Sequence, residues 1–267
     1  MKNHLLAILL ALSTIHNAFA EEPTTMEFIN AVPFISIEEH IKVTKKTVAA
    51  IQFTDSDKWM MTGTGFLVQG KRNTILVITC LHVIAGALNQ KKTLHVGLDT
   101  KNGYKRFPVL LAYADPVNDI AILSISSDKS KKSDMPDNSY FGSEAFDVNN
   151  EYIVEGRGVL IPGYPLALGM EEGQNHPVVR HAMVAQYTGK DYFLLDGLVS
   201  RGNSGSPVIA LKGMTGRLIG MVNGFENENI NLYDESGQLI SMLPYNSGLT
   251  RCVTMKEIQK AIDKAKY

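Results

Sequence analysis

Three side chains, far apart along the chain, have the types and settings that acyl-transfer chemistry requires: His82, Asp119 and Ser204. Ser204 lies in Ser200-Arg201-Gly202-Asn203-Ser204-Gly205-Ser206-Pro207-Val208, a turn rich in glycine and hydroxyls between two apolar runs. Glycine on both sides of Asn203-Ser204 lets the backbone take unusual dihedrals and leaves space for another molecule to approach. A serine on such a turn can present its oxygen outward beside backbone N–H groups that point the same way, as a nucleophile beside an oxyanion hole must. The same residue types also make an ordinary turn between strands. His82 follows the apolar run Ile75-Leu76-Val77-Ile78-Thr79-Cys80-Leu81. An ionisable group at the end of a buried strand is either a satisfied core histidine or a functional one. Asp119 sits at the mouth of another apolar strand, Ile120-Ala121-Ile122-Leu123, where hydrogen bonds rather than water hold it. It suits the task of orienting an imidazole and stabilising its protonated form. Asp115, before a proline, reads as a turn residue.

The elements that must position these residues read as strands. Short β-branched and aromatic stretches recur at 47–53, 65–69, 74–79, 92–98, 107–113 and 120–125. A short helical turn is expected after His82 and another near 37–43. A second set follows at 158–161, 178–186, 192–195, 207–211, 218–223, 239–242 and 248–253. Residues 255–266 read as a terminal helix, with Thr254 as N-cap and Ile258, Ala261, Ile262 and Ala265 on one face. Alternating βα units are absent, which argues against a doubly wound sheet. The expected fold is all-β: two six-stranded antiparallel barrels and a C-terminal helix. Barrel 1 is placed at about 46–126 and barrel 2 at about 151–253, joined by a polar, charged linker at 127–150.

Composition narrows the function classes. The chain has 267 residues, 45% of them hydrophobic, enough for a full core. With 26 basic and 27 acidic residues, it offers no electrostatic argument for nucleic acid or an anionic membrane. Residues 1–20 have the layout of a secretory signal: Lys2, an apolar 5–15 stretch, then Ala18-Phe19-Ala20. Cleavage is expected after Ala20, giving a secreted or periplasmic protein with a leader at 21–45 and no membrane insertion. Of the seven histidines, only His82 has a setting that suggests chemistry. There is no His-Glu-x-x-His and no ligand spacing, so neither a metal nor another cofactor is expected. Cys80 and Cys252 could meet in an exported compartment, but free buried cysteine is common, and unpaired thiols are the preferred reading.

The order His82, Asp119, Ser204 matches that of chymotrypsin-like proteases, and the Gly-x-Ser-x-Gly elbow of α/β-hydrolases is missing because Ser206 stands two after Ser204. The chain resembles the trypsin-like serine proteases, particularly the bacterial exported branch related to the HtrA (Deg) and glutamyl endopeptidase families. Gly63-Thr64-Gly65-Phe66-Leu67-Val68, Thr79-Cys80-Leu81-His82-Val83-Ile84, Asp119-Ile120-Ala121-Ile122-Leu123, Ile161-Pro162-Gly163-Tyr164-Pro165-Leu166 and Asp196–Pro207 carry the likeness. The resemblance implies Ser204 as nucleophile, His82 as general base and Asp119 as its orienter, with the N–H groups of Gly202 and Ser204 as oxyanion hole. It implies an exported endopeptidase that forms an acyl-enzyme on Ser204, without the PDZ domain many HtrA relatives carry. Its substrate-binding positions would be Leu198, Val199 and Val222 around an uncharged primary pocket left open by Gly248. Arg201 would stand on the rim, and Asn223, Gly224 and Phe225 would pair with an extended protein or peptide substrate whose side chain before the cleaved bond is aliphatic or aromatic. Ser206 and the Cys80-Leu81 pair depart from the family pattern. The alternative is a silent homologue that binds peptide without cutting it.

Overall fold

The computed structural model describes residues 37–55, 58–71, 74–100, 103–125, 140–170, 176–212 and 215–265. All of these belong to one compact unit, Ser36–Tyr267. The signal segment 1–20, the first part of the leader and most of the linker at 127–150 lie outside the described residues.

Helix α1 (Ile37–Lys45) opens the described chain, with Glu38 and Glu39 in its first turn and Lys42 and Lys45 in its last, as the helix dipole favours. The first barrel follows: β1 (Val48–Asp55), β2 (Lys58–Gln69), β3 (Ile75–Cys80), helix α2 (Leu81–Asn89), β4 (Leu94–Thr100), β5 (Gly103–Asp115) and β6 (Ile120–Ile125). The second comprises β7 (Gly158–Gly163), β8 (Val178–Gln186), β9 (Tyr192–Asp196), β10 (Pro207–Lys212), β11 (Thr215–Tyr233) and β12 (Leu239–Thr254), and helix α3 (Met255–Lys264) ends the fold.

Both sheets close, in the orders β1-β2-β3-β6-β5-β4 and β10-β11-β12-β9-β8-β7, and every ladder is antiparallel. Closure leaves no unpaired edge around either barrel wall, the outer lengths of β11 and β12 aside, and the inward-facing side chains fill both barrels. Two apolar clusters result. One fills the first barrel and continues through Leu160, Tyr164 and Met221 to α3; the other fills the second barrel around Val159, Phe193 and Ile219. The two-barrel architecture and terminal helix are as the sequence predicts.

Differences lie in the extents. The strands expected at 239–242 and 248–253 are one strand, β12, and β11 runs ten residues beyond the expected 218–223 stretch, to Tyr233. Together they form a long ribbon whose outer residues are exposed. The helix at His82 is nine residues long and begins before it, at Leu81. On α3, Ile258, Ala261, Ile262 and Ala265 are all buried, but the Thr254 hydroxyl makes no cap bond.

Candidate active site

The β3–β6 register builds the site. Cys80 pairs with Ile120 and Thr79 with Ala121, so the residue entering β6, Asp119, lies beside the first turn of α2. That turn has unpaired amides, as every helix start does. Asp119 supplies both acceptors: its carbonyl takes the Leu81 N–H at 3.0 Å and its Oδ1 takes the His82 N–H at 2.9 Å. The carboxylate thus caps the helix from a neighbouring loop, where the dipole favours negative charge. Asp119 holds a left-handed φ of 57°, which aspartate tolerates better than most residues. The turn before it is set by Asp115, whose Oδ1 accepts the N–H groups of Val117 and Asn118.

With its backbone so fixed, Asp119 points Oδ2 at His82 Nδ1, 2.6 Å away. An ionised carboxylate only accepts, so Nδ1 carries the proton and Nε2 is left as the basic nitrogen. The His82 side chain is half exposed and that of Asp119 is 28% exposed, so the basic nitrogen is open to a substrate.

The serine-bearing turn is bound to both barrels. Asn203 N–H donates to Ser200 O at 3.0 Å, Ser206 N–H to Asn203 O at 2.8 Å and Gly205 N–H to Val222 O at 2.8 Å. Thr64, on β2, reaches across: its N–H donates to Ser204 O at 2.9 Å and its hydroxyl to Gly202 O at 2.6 Å. That same hydroxyl accepts the Tyr164 N–H at 3.1 Å. Two glycines are required here. Gly202 and Gly205 hold φ of 92° and 88°, and a Cβ on either would lie about 2 Å from a carbonyl oxygen, of Tyr164 and of Thr64 respectively. Among the described residues, the N–H groups of Gly202 and Ser204 donate to nothing, while those of Asn203, Gly205 and Ser206 are all used.

Ser206 is fully buried, and its hydroxyl occupies the space that a side chain on Gly163 would need. Of the expected substrate positions, Val199 and Val222 are buried in the second barrel's core, whereas Leu198 is 56% exposed and Arg201 is exposed. Among the described residues, Phe225 packs on the edge of that core, Asn223 Oδ1 is buried without a partner, and the space beside Gly224 and Gly248 is open. Arg180 on β8 donates through Nη1 to Leu198 O at 3.0 Å, holding the loop that precedes the turn. Neither Arg180 nor Thr64 was marked by the sequence for its contacts; Thr64 stands inside the Gly63-Thr64-Gly65 motif, which was a usable signal.

The structure corrects the serine-based reading. Among the described residues no hydrogen bond joins the His82 ring to Ser204, whose hydroxyl has no partner. The side chain that shares the cluster with His82 and Asp119 is Cys80: their sulfur, nitrogen and oxygen atoms lie within 4.8 Å of one another. The reason is the register, since the last residue of β3 lies against the residue entering β6. A Ser-His-Asp triad, an acyl-enzyme on Ser204 and the assignment as a serine endopeptidase are therefore withdrawn in favour of a His/Asp cluster whose third member is a cysteine.

Cys80 is itself fully buried, and its Sγ donates to Val222 O at 3.2 Å. Burial, and then the nearby Asp119 charge, push its thiol well above the ordinary range, so it is protonated at neutral pH. By spacing alone the three donors could hold a metal ion. Binding would require the thiol to ionise and Asp119 to give up bonds that cap α2. Cys252 is also buried and free, so the two cysteines are unpaired thiols.

A model of the trypsin-like peptidase domain matches residues 63–221, more than half of the chain, and the protein belongs to that family. Comparison with curated proteins finds no match. Among solved structures, the chain is similar to the MamO protease domain from Magnetospirillum magneticum in its apo form, at 18% identity and a TM-score of 0.52 over 82% of this chain and 97% of that one. It is also similar to the serine endoprotease from Yersinia pestis, at 20% identity and a TM-score of 0.56 over 87% of this chain and 67% of that one. At these identities the likeness is one of fold.

Proposed function

We propose, from its place in the trypsin-like peptidase family, that this protein hydrolyses peptide bonds of a protein or peptide laid across the seam between its barrels. The observation that carries the reading is the 2.6 Å contact between His82 and Asp119, which fixes the ring and leaves its second nitrogen exposed as a base. The free N–H groups of Gly202 and Ser204 are proposed as the oxyanion hole for the carbonyl under attack, with Ser204 counted among the site's residues. Leu198, Arg201, Gly224 and Phe225 are proposed to line the approach of the substrate. The 1–20 pattern and the expected cut after Ala20 support a secreted or periplasmic setting. No helix among the described residues is long and apolar enough to cross a membrane.

The experiment is cleavage of a denatured protein by the purified chain, followed by mass spectrometry. Asp119→Asn should lower turnover about 10⁴-fold, because the ring loses its orientation and proper tautomer. His82→Ala should lower it by at least about 10²-fold. A folded wild type that cuts nothing, or a His82→Ala variant that cuts as fast as wild type, would sink the proposal. Peptide mapping of the protein trapped with an electrophilic peptide carbonyl then identifies the attacking side chain.

A further inference from the structure

The ribbon formed by β11 and β12 has a free edge, and that edge begins at the site. Among the described residues, β10 covers β11 only as far as the Ser206–Val222 contacts, and beyond them Asn223–Tyr233 pairs with β12 alone. About 30 Å of strand therefore presents unpaired backbone groups on one side. Natural edges of this length are blunted with lysine or proline. Asn223-Gly224-Phe225-Glu226-Asn227-Glu228-Asn229-Ile230-Asn231-Leu232-Tyr233 contains neither, whereas the opposite edge, on β12, carries Pro244.

The faces of the ribbon differ. The register pairs Glu228 with Tyr245, Ile230 with Leu243 and Leu232 with Ser241, so these side chains share one face. Asn227, Asn229 and Asn231 lie on the other. Ile230, Leu243 and Leu232 are 48%, 50% and 40% exposed, an apolar strip without cover among the described residues. From Asn223 to Thr250 the chain has four acidic residues, Glu226, Glu228, Asp234 and Glu235, and no lysine or arginine.

We infer that the β11 edge beyond Phe225, at Glu226–Tyr233, is an exosite for substrate: an extended polypeptide segment adds to it as a further strand, with apolar side chains at alternate positions and lysine or arginine beside Glu226 and Glu228. The inference rests on the peptidase reading and names the substrate class of that site. Strand addition supplies main-chain hydrogen bonds, and the alternating strip and the acids supply selectivity. A second copy of the ribbon fits less well, since pairing two such edges sets acids against acids.

The test uses the full chain and a fluorescent peptide of about twelve residues, alternating valine and lysine, in an anisotropy titration. Three comparisons accompany it: lysine replaced by glutamine, alternate amides N-methylated, and the protein variant Ile230→Lys/Leu232→Lys, whose sites are exposed and leave the fold intact. Each change should weaken binding about tenfold or more. Cleavage of a long peptide bearing the same sequence should lose a similar factor in kcat/KM in the variant, with a four-residue substrate unaffected. Equal affinities across the comparisons overturn the inference. So does a wild-type dimer in sedimentation that the variant dissociates, which would give the strip to a second copy. If the wild type cuts neither substrate, the peptidase reading fails, and the titration still decides the exosite.

Discussion

Cys80 shares a cluster with a histidine and a carboxylate, yet its surroundings make it a poor nucleophile, and the difference is measurable. An unperturbed thiol at the reference value of 9.0 is about 3% thiolate at pH 7.5. Burial and the Asp119 charge push Cys80 above that value, so its thiolate fraction is smaller still. Its sulfur has no exposed surface and reacts only when the seam opens. Timed alkylation with iodoacetamide in native buffer, read residue by residue by mass spectrometry, should show Cys80 and Cys252 protected at least about a hundredfold relative to the chain in urea. Cys80→Ala should cost about 1–2 kcal/mol, from lost packing and a weak S–H bond. The cost is not higher because Val222 O keeps the Gly205 N–H at 2.8 Å and is not orphaned. In thermal melts that is a fall of about 3–6 °C. Alkylation of native Cys80 within about tenfold of a free thiol, with Cys252 still protected, would refute the reasoning and mark the sulfur as an open, reactive group.

Thr64→Val keeps the shape but removes the hydroxyl that donates to Gly202 O and accepts the Tyr164 N–H; it should cost about 2–4 kcal/mol in urea melts and lower kcat more than KM. Gly205→Ala combines a positive φ with a clash against Thr64 O, so stability should fall by about 3 kcal/mol or more, in contrast to Gly237→Ala, where φ is positive but the space is open. Both thiols have raised pKa values in the fold, Cys252 through burial, so the folded state holds their protons longer than the unfolded chain. Stability is therefore fully present below about pH 9, and titration melts should show it fall above that, by up to about 1.4 kcal/mol per pH unit for each thiol. The slope should lessen in Cys252→Ala.

The barrels were legible because their strands alternate or run apolar between strong turn signals, as in 120–125 and 178–186, which the structure reproduces residue for residue. The ribbon was not. Asn227, Glu228, Asn229 and Asn231 belong to types depleted in strands, and what holds them extended is pairing across to β12, a tertiary fact. The site divides the same way. His82 and Asp119 could be read from their places at strand ends. Cys80 reads in the sequence as a thiol that is free or bridged and as a departure from the family's histidine motif, not as a neighbour of the Asp119 carboxylate, since its neighbours depend on the β3–β6 register, which a sequence does not display.

Around a closed barrel wall the strands already pair with one another, so the two barrels are joined by apolar packing through Leu160, Tyr164 and Met221 and by a few hydrogen bonds. Several of those hydrogen bonds are in the site itself: Thr64 bonds to Gly202 and Ser204, and Cys80 bonds to Val222. The same contacts that hold the barrels together orient the free N–H groups of the turn and fix the strand end beneath His82. Loosening the seam therefore disturbs the site before the barrel interiors around Ile78 and Ile219 open, although it also parts the apolar packing that runs on from the first barrel through Leu160, Tyr164 and Met221. Native-state hydrogen exchange should accordingly rank the amides of Thr64 and Gly205 as less protected than those of Ile78 or Ile219, deep in the two cores. Equal protection at all four would mean that the barrels and their seam open only together, as one cooperative unit.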